Sequence, residues 1–411
     1  MAIDVRGLGR NNPYKLWKDI GRHGCESLNI LLLGVGAIGR TIATHLSKSV
    51  EVSGLTLGDI YVDKAKELAD GLGSGKVSAL KVDAGSYKAL LKVLKGIDVV
   101  INATSPKYNL TIMKAALESQ AHYIDLASDI DLKEQLVLND SWKERGLTAI
   151  LGLGEDPGLS NIFARHAAEK LDKVERIRIR DGETAVSRDF AFPILFSPEV
   201  FLEEALLEEP IIYRNGSFRK LEPFAGKEIY RFPDPIGPLA VYNVSHEEVK
   251  SLPLFMNKSV KYVDFKLAFS PEIIHMLKTV KMLGLMNREP MEVKGLRITP
   301  RDVLLALFPR PEELAGNIDG YACILVDVEG KKAGKKRRHL IYTAMSHQEA
   351  YEKYGVTATS YLTGTPPAIG AVLLGQGEIR SPGVISPECL DPELFWTTLA
   401  QKGITIREMT M

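Results

Sequence analysis

Short apolar runs alternate with amphipathic stretches along the first 150 residues, at a spacing of roughly 25 residues. Residues 28–33 form an apolar strand pattern, and Ile42, Ala43 and Leu46 within 40–49 share one helical face. Further strand patterns lie at 52–57 and 77–82. Residues 87–95 carry Leu90, Leu91 and Leu94 on one helix face, and 98–104 read as a buried strand. A helix through Leu110, Met113 and Leu117 follows, then a strand at 123–127, a helix at 132–145 and a strand at 148–153. Six strands with intervening helices predict an α/β fold. It is a Rossmann-type doubly wound parallel sheet with its ligand crevice at the carboxyl ends of the strands.

The pattern changes near Gly154. Asp156-Pro157-Gly158 opens a helix that runs to about Leu171, with proline in its first turn and an acid ahead of it as cap. Beyond it the chain turns β-rich. Residues 174–180 and 262–269 alternate, and 321–328 pair naturally with 340–345, which predicts an α+β domain with a mainly antiparallel sheet. The basic run at 331–338 between the last two strands reads as a solvated hairpin tip rather than an anion patch. Residues 355–411 return to helix at 357–374, interrupted by Gly-Thr-Pro-Pro, and at 392–401, capped by Gly403. The chain thus divides into an extension at 1–27, a dinucleotide-binding domain at 28–153, a second domain at 154–354 and C-terminal helices at 355–411. No repeat of 20 to 50 residues points to a solenoid.

Composition narrows the function. Among 411 residues, Lys plus Arg and Asp plus Glu both number 52, and no basic stripe with interleaved aromatics marks a nucleic-acid binder. The apolar run before Gly34 is too short to span a bilayer, and residues 1–27 lack the continuous apolar core of a secretory signal. Cys25, Cys323 and Cys389 are scattered and odd in number, as expected of reduced cytoplasmic thiols. Neither cysteine nor histidine spacing offers a metal-ligand set.

The first strand ends in Gly34-Val-Gly36-Ala37-Ile38-Gly39, and a second strand closes on Asp59, twenty residues later. A G-x-G-x-x-G between strand and helix, with an acid after the next strand, is a dinucleotide site. Gly34 makes the turn, Gly36 admits the pyrophosphate, and Gly39 packs helix on strand, while free N–H groups at Ala37 and Ile38 face the phosphates. Asp59 accepts hydrogen bonds from the adenosine ribose and repels a 2′-phosphate, so NAD is expected over NADP. Other strand exits supply cofactor contacts at Asp83, Ala84, Ala103, Thr104, Ser105 and Leu126.

Substrate contacts are expected from the same exits. Lys107, Tyr108 and Asn109 reach forward from the fourth strand, although Asn109 reads equally as a helix cap. The fifth exit, Asp125 to Asp129, and the sixth, Gly152 to Gly158, offer carboxylates that accept protons or bind an ammonium. Asp156 reads equally as a cap. His45 and His166 fall within helices and read as structural. His246, followed by Glu247 and Glu248, reads as a surface loop residue or as a base beside carboxylates. The test set is therefore Tyr108 as substrate anchor, Asp156 as ammonium partner and His246 as proton acceptor. Arg180, Arg188, Arg231 and Arg301 are unranked partners for a substrate carboxylate.

Longer stretches carry a resemblance. They are Leu31-Leu-Leu-Gly-Val-Gly-Ala-Ile-Gly39, Asp98-Val-Val-Ile-Asn-Ala-Thr-Ser-Pro106, Met113-Lys-Ala-Ala-Leu-Glu118, His122-Tyr-Ile-Asp-Leu126 and Gly154-Glu-Asp-Pro-Gly-Leu159. Further along come Phe196-Ser-Pro-Glu199, Arg214-Asn-Gly216, Pro300-Arg-Asp-Val-Leu304, Thr359-Ser-Tyr-Leu-Thr-Gly364 and Gly383-Val-Ile-Ser-Pro-Glu388. In this order they resemble the saccharopine dehydrogenase-like superfamily. Residues 105–117 and 300–304 are most similar to the L-lysine 6-dehydrogenases, whereas Asp156-Pro-Gly158 is more like saccharopine and carboxynorspermidine dehydrogenases. The resemblance implies an NAD-dependent oxidoreductase acting on a C–N bond of a lysine-like amino acid. The alternative within the superfamily is imine reduction that joins an amine to an aldehyde or keto acid. A non-catalytic dinucleotide sensor is the alternative of another class. It also implies C-terminal helices that pack on the first domain, and a middle domain that carries both the substrate and a homodimer interface.

Overall fold

The computed structural model describes residues 27–128, 132–256 and 258–411, so Cys25, Asp129 and nearly all of the N-terminal extension lie outside it. The strand patterns become β1 (Leu28–Leu33), β2 (Val52–Asp59), β3 (Val77–Lys81), β4 (Val99–Asn102), β5 (His122–Asp125) and β6 (Thr148–Ile150). All pair in parallel, in the order β6-β5-β4-β1-β2-β3. Side chains of β1 alternate between two cores, as a strand covered on both faces requires. Ile30 and Leu32 pack with Ile42, Ala43 and Leu46 of the helix Ala37–Lys48. Leu31 and Leu33 pack with Leu90, Ile112, Met113 and Trp142 on the other side. Each such leucine contributes about 1.5–3 kcal/mol of burial.

The C-terminal region departs from the helical expectation in two places. Gly383–Ile385 joins β6 as a seventh parallel strand, and Ile406–Thr410 joins the second sheet. The first is only three residues long, too short for any periodic signal. Its backbone instead completes the edge of β6. The helix Ala358–Gly375 is continuous through Pro366 and Pro367, with the Thr365 hydroxyl donating 2.6 Å to the Tyr361 carbonyl. It packs against the Ala37–Lys48 helix, as the resemblance implied. The expected helix at 132–145 is instead two short helices, Lys133–Leu136 and Asn139–Glu144.

The second sheet has ten strands and is mixed. Its centre, Lys173–Asp181, pairs in parallel with Tyr262–Ala268 and antiparallel with Ile318–Lys332, and the remaining pairs are antiparallel. The basic run forms the tip between Ile318–Lys332 and Lys335–Ser346, where Lys331 and Lys335–Arg337 are half-buried to exposed. Arg338 turns inward instead, to the buried Asp327 at 2.8 and 2.7 Å. No helix among the described residues is long and apolar enough to cross a membrane.

Candidate active site

The glycine loop is built to receive a ligand. Gly34 has φ +91°, and a Cβ there would lie 2.6 Å from the Ala103 carbonyl. A Cβ on Gly39 would lie 2.1 Å from the Gly34 carbonyl, so neither position admits a side chain. Gly36 differs, because a Cβ there meets nothing within 4 Å. The open space over Gly36 is the room a pyrophosphate needs at the start of the Ala37–Lys48 helix. Asp59 closes one side of this crevice. Its carboxylate accepts from the Val35 N–H at 3.1 Å and the Tyr61 N–H at 2.9 Å, which fixes it at the carboxyl end of β2. Asp83 similarly accepts from Gly85 N–H at 2.9 Å, beside the buried Ala84.

Beyond β4, buried Asn102 accepts from the Thr104 N–H at 3.0 Å and the Thr104 hydroxyl at 2.6 Å. It donates at 2.7 Å to Asn109, which in turn donates at 2.9 Å to the Ala127 carbonyl. Asn109 therefore ties the β4 exit to the β5 exit, which is neither a cap bond nor a substrate contact. Asp125 is likewise structural. It accepts from Gly152, Gln135 and Tyr123 at 2.6, 2.8 and 3.0 Å, and burial pushes it up to about 7.

A cavity of about 400 Å³ lies where these exits meet the second domain. Ile38, Ala103, Thr104, Ser105 and Leu126 line its first-domain wall, so five of the expected cofactor contacts border the substrate space. Across from them stand Glu155, Asp156, Asp181 and Glu183. Asp156 does not cap a helix. The helix begins at Leu159, and the Gly158 N–H is taken by the Asn161 side chain at 2.9 Å, so the acid is left to the cavity. Asp156 and Asp181 line the cavity together, and a protonated Asp156 favours the carboxylate form of Asp181. Burial, then mutual repulsion, pushes Asp156 and Glu155 well above the carboxylate range. Burial raises Asp181 to about 6 and Glu183 to about 8, with Thr359 donating 3.1 Å to Glu183. Among the described residues, no lysine or arginine lines the cavity.

His246 lies at the cavity wall and is buried, so the surface-loop reading fails. The chain arrives from Pro238–Asn243 and enters the helix Glu248–Phe255, which places the ring flat on Phe265 at 3.7 Å and 8°. Its Nδ1 donates to Glu248, which also accepts from Ser160 at 2.7 Å. Glu247 accepts from the Ser128 N–H at 3.0 Å and so links the β5 exit to the second domain. Burial alone disfavours the imidazolium, but the charge and hydrogen bond of Glu248, with Glu247 and Glu204, outweigh it and push His246 up to about 10. A ring that stays protonated at neutral pH donates protons and binds anions. That direction suits a proton donor or an anion partner better than the proton acceptor expected from sequence. His246, Glu247 and Glu248 also bring three donor atoms within 4.8 Å, a grouping that ligand spacing did not foretell. Their bonds to one another, Ser128 and Ser160 account for it without an ion.

Other expected residues stand elsewhere. Tyr108 lies outside the cavity lining, in the turn Pro106–Tyr108, with its ring against Gly85. None of the four arginines reaches the cavity either. Arg180 is buried against Asp264 at 3.0 Å and Glu228 at 3.1 Å, Arg301 is held by Glu199 and Glu203, and Arg188 and Arg231 are exposed. Sequence reasoning included Glu155 only among the carboxylates of the sixth strand exit and missed Asp181, Glu183 and Glu204. A usable signal was Asp181-Gly182-Glu183, two acids set at alternate positions where an alternating strand ends.

So many raised carboxylates make stability depend on pH. In the ligand-free fold Glu183 and Glu204 (about 8) and Glu247 and Asp125 (about 7) hold protons that the unfolded chain has lost, and His246 acts in the same sense. Their stabilisation is complete below the unfolded carboxylate range and is lost as pH rises through the folded values. His45 (about 3), His347 (about 4) and His122, lowered by burial, oppose this only below their ordinary 6.5. The unfolding temperature should therefore fall steadily between about pH 6.5 and 8.5. A flat or rising profile in calorimetry would contradict the buried acidic cluster.

The profile described as "Saccharopine dehydrogenase NADP binding domain" matches residues 30–150, and "Saccharopine dehydrogenase C-terminal domain" matches residues 154–404. Carboxynorspermidine synthase of Vibrio cholerae is 30% identical over 401 residues, covering 92% of this chain and 96% of that protein. Carboxyaminopropylagmatine dehydrogenase of Synechocystis is 28% identical over 390 residues, covering 92% and 97%. Apo saccharopine dehydrogenase (L-Glu forming) of Saccharomyces cerevisiae shares the fold, with a TM-score of 0.71 at 18% identity over 94% of this chain and 100% of that one. Homospermidine synthase of Legionella pneumophila, in complex with NAD, gives 0.68 at 16% over 93% and 91%. Both halves of the fold and its open dinucleotide crevice are thus accounted for together: the chain belongs to the saccharopine dehydrogenase family and is an NAD(P)-dependent oxidoreductase.

Proposed function

We propose that the protein joins a cationic amine to an aldehyde by reducing the imine between them. The observation that carries this reading is a cavity with four clustered carboxyl groups and, among the described residues, no lysine or arginine. Such a site attracts a polyamine-like cation and repels a dicarboxylate. The products named for the two relatives, carboxynorspermidine and carboxyaminopropylagmatine, are polyamines bearing a carboxylated aminopropyl arm, in keeping with that electrostatics. The expectation of an L-lysine 6-dehydrogenase accordingly gives way to imine reduction.

In the forward direction amine and aldehyde lose water to form the imine, whose carbon then takes a hydride and whose nitrogen takes a proton. When bound, the nicotinamide supplies the hydride. Asp156, kept protonated by burial and the neighbouring carboxyl groups, delivers a proton to the nitrogen, and Asp156 and Asp181 afterwards hold the cationic product. Thr104, Ser105 and Leu126 hold the reacting carbon close to the first domain, where a near-attack distance of about 3–3.5 Å is needed. The cofactor is NAD, on the strength of the fixed Asp59 carboxylate. Asp59→Ala should weaken NAD binding by about tenfold or more, the worth of a charge-assisted hydrogen bond, and narrow its advantage over NADP. A wild-type protein that binds NADP more tightly than NAD would overturn this.

The protein works as a cytoplasmic homodimer through the middle domain. Cys323 and Cys389 are free thiols, and in the middle domain Met282, Leu283, Leu296 and Leu307 lie exposed, Leu296 within the hairpin Met291–Ile298. A single-protomer mass in light scattering would contradict the dimer. The direct test of function is NADH consumption by the purified protein. Turnover should require both an α,ω-diamine or aminoguanidine and a short amino-acid semialdehyde. Reduction of NAD by lysine alone would restore the lysine dehydrogenase reading.

A further inference from the structure

The cavity has a second polar group, and it is unlike the first. Glu204 lies in a π-helical turn, Glu203–Leu207, that follows the helix Pro198–Leu202. A π-turn adds a residue to the helical repeat and swings the following side chains round, a device found at functional sites. Here the turn is clamped from outside. Arg301, itself buried, donates to Glu199 at 3.0 Å and Glu203 at 2.5 Å, and Lys281 donates 2.6 Å to the Leu206 carbonyl. Glu203 is thereby held at the back, and Glu204 faces the cavity without a hydrogen bond or ion pair to any described residue.

Its neighbour is His246. Nδ1 of the ring is committed to Glu248 and one face to Phe265, which leaves Nε2 without a partner among the described residues, at the cavity wall. Glu204 and His246 both line this cavity, and their mutual attraction favours the carboxylate of one and the imidazolium of the other. A carboxyl group and an imidazole, each with an unused polar atom, thus line the same cavity, and an ammonium bound beside Glu204 would offset the burial that keeps it protonated.

We propose that His246 and Glu204 form a subsite for an α-amino-acid head group, in which the Nε2–H donates to the carboxylate and the Glu204 carboxylate accepts from the α-ammonium. This rests on the amine-joining reaction above and assigns the orientation of its aldehyde partner. The amino-acid end lies at the π-turn, the aldehyde carbon faces the first domain, and the diamine occupies the Glu155–Glu183 side. It also explains how a carboxylated substrate is bound in a cavity that no arginine enters.

The experiment compares three aldehydes at saturating 1,3-diaminopropane and NADH. These are 2-amino-4-oxobutanoate, 4-oxobutanoate, which lacks the amine, and 3-aminopropanal, which lacks the carboxylate. Wild-type protein should prefer the complete aldehyde over either truncated one by about tenfold to a hundredfold in kcat/KM. His246→Gln should lose the preference over 3-aminopropanal and keep the preference over 4-oxobutanoate, and Glu204→Gln should do the reverse. A folding defect cannot produce that crossed pattern, and a urea midpoint on each variant checks for one. Uniform loss on all three aldehydes, or preferences unchanged in both variants, would overturn the subsite while leaving wild-type amine joining intact. A wild-type protein inactive with every aldehyde would overturn the reaction itself, and the subsite with it.

Discussion

A valine at position 36 should abolish dinucleotide binding and leave the protein folded. Gly36 sits at φ −67° and ψ −166°, an extended conformation that valine adopts without strain. A Cβ added there meets nothing within 4 Å, so no neighbour has to move. What it enters is the space above the first turn of the helix Ala37–Lys48, where a pyrophosphate must approach the backbone. Calorimetric titration with NADH should therefore show no heat of binding, with the unfolding temperature essentially unchanged. Gly39→Ala is the contrast, because its Cβ would collide with the Gly34 carbonyl and so disturb the loop itself. Wild-type affinity in the valine variant would mean that the loop is a turn and no more.

Asp156→Asn should cost about 10²–10⁴-fold in kcat, the range for loss of a positioned proton donor. The substitution keeps the size and hydrogen-bonding capacity of the side chain and removes the proton that burial holds on Asp156. Because burial and the charges of Asp181, Glu155 and Glu248 all penalise an ionised Asp156, the amide should not lower stability at pH 8 and is expected to raise it. Turnover and unfolding temperature thus move in opposite directions. A variant with near-normal turnover would pass the proton to Glu155 or Glu183. One that lost both turnover and stability would show Asp156 to be structural.

The first domain is legible in the chain because its inner strands are buried on both faces and its helices on one, so period and position coincide. The glycine loop is legible for the same reason: its residues are contiguous, and their roles are local. The acidic cavity is not local. Glu155 comes from the β6 exit, Asp181 and Glu183 from the end of a central strand, Glu204 from a π-turn, and His246 from the approach to a helix. Each of these letters, read alone, is an ordinary polar residue, and only the packing of the two sheets makes them neighbours. His246 drew attention through its adjoining carboxylates, and the structure shows why the pattern matters: burial disfavours its protonated form, and the adjacent Glu248 and Glu247, with the distant Glu204, outweigh that burial. Tyr108 misled because its closeness in sequence to the β4 exit suggested closeness to the substrate. The turn Pro106–Tyr108 instead lays its ring against Gly85. The edge strand Gly383–Ile385 escaped because three residues carry no periodicity, and its pairing depends on β6 more than two hundred residues earlier.

The central claim is that this cavity reduces a carbon–nitrogen double bond formed between a cationic amine and an aldehyde. Mass spectrometry of the product formed with NADH deuterated at C4 of the nicotinamide tests it most directly. With 1,3-diaminopropane and 2-amino-4-oxobutanoate, one deuterium should appear on the former aldehyde carbon, now bonded to the new secondary amine. Deuterium found instead on the alcohol carbon of a reduced aldehyde, with no new C–N bond, would contradict the account.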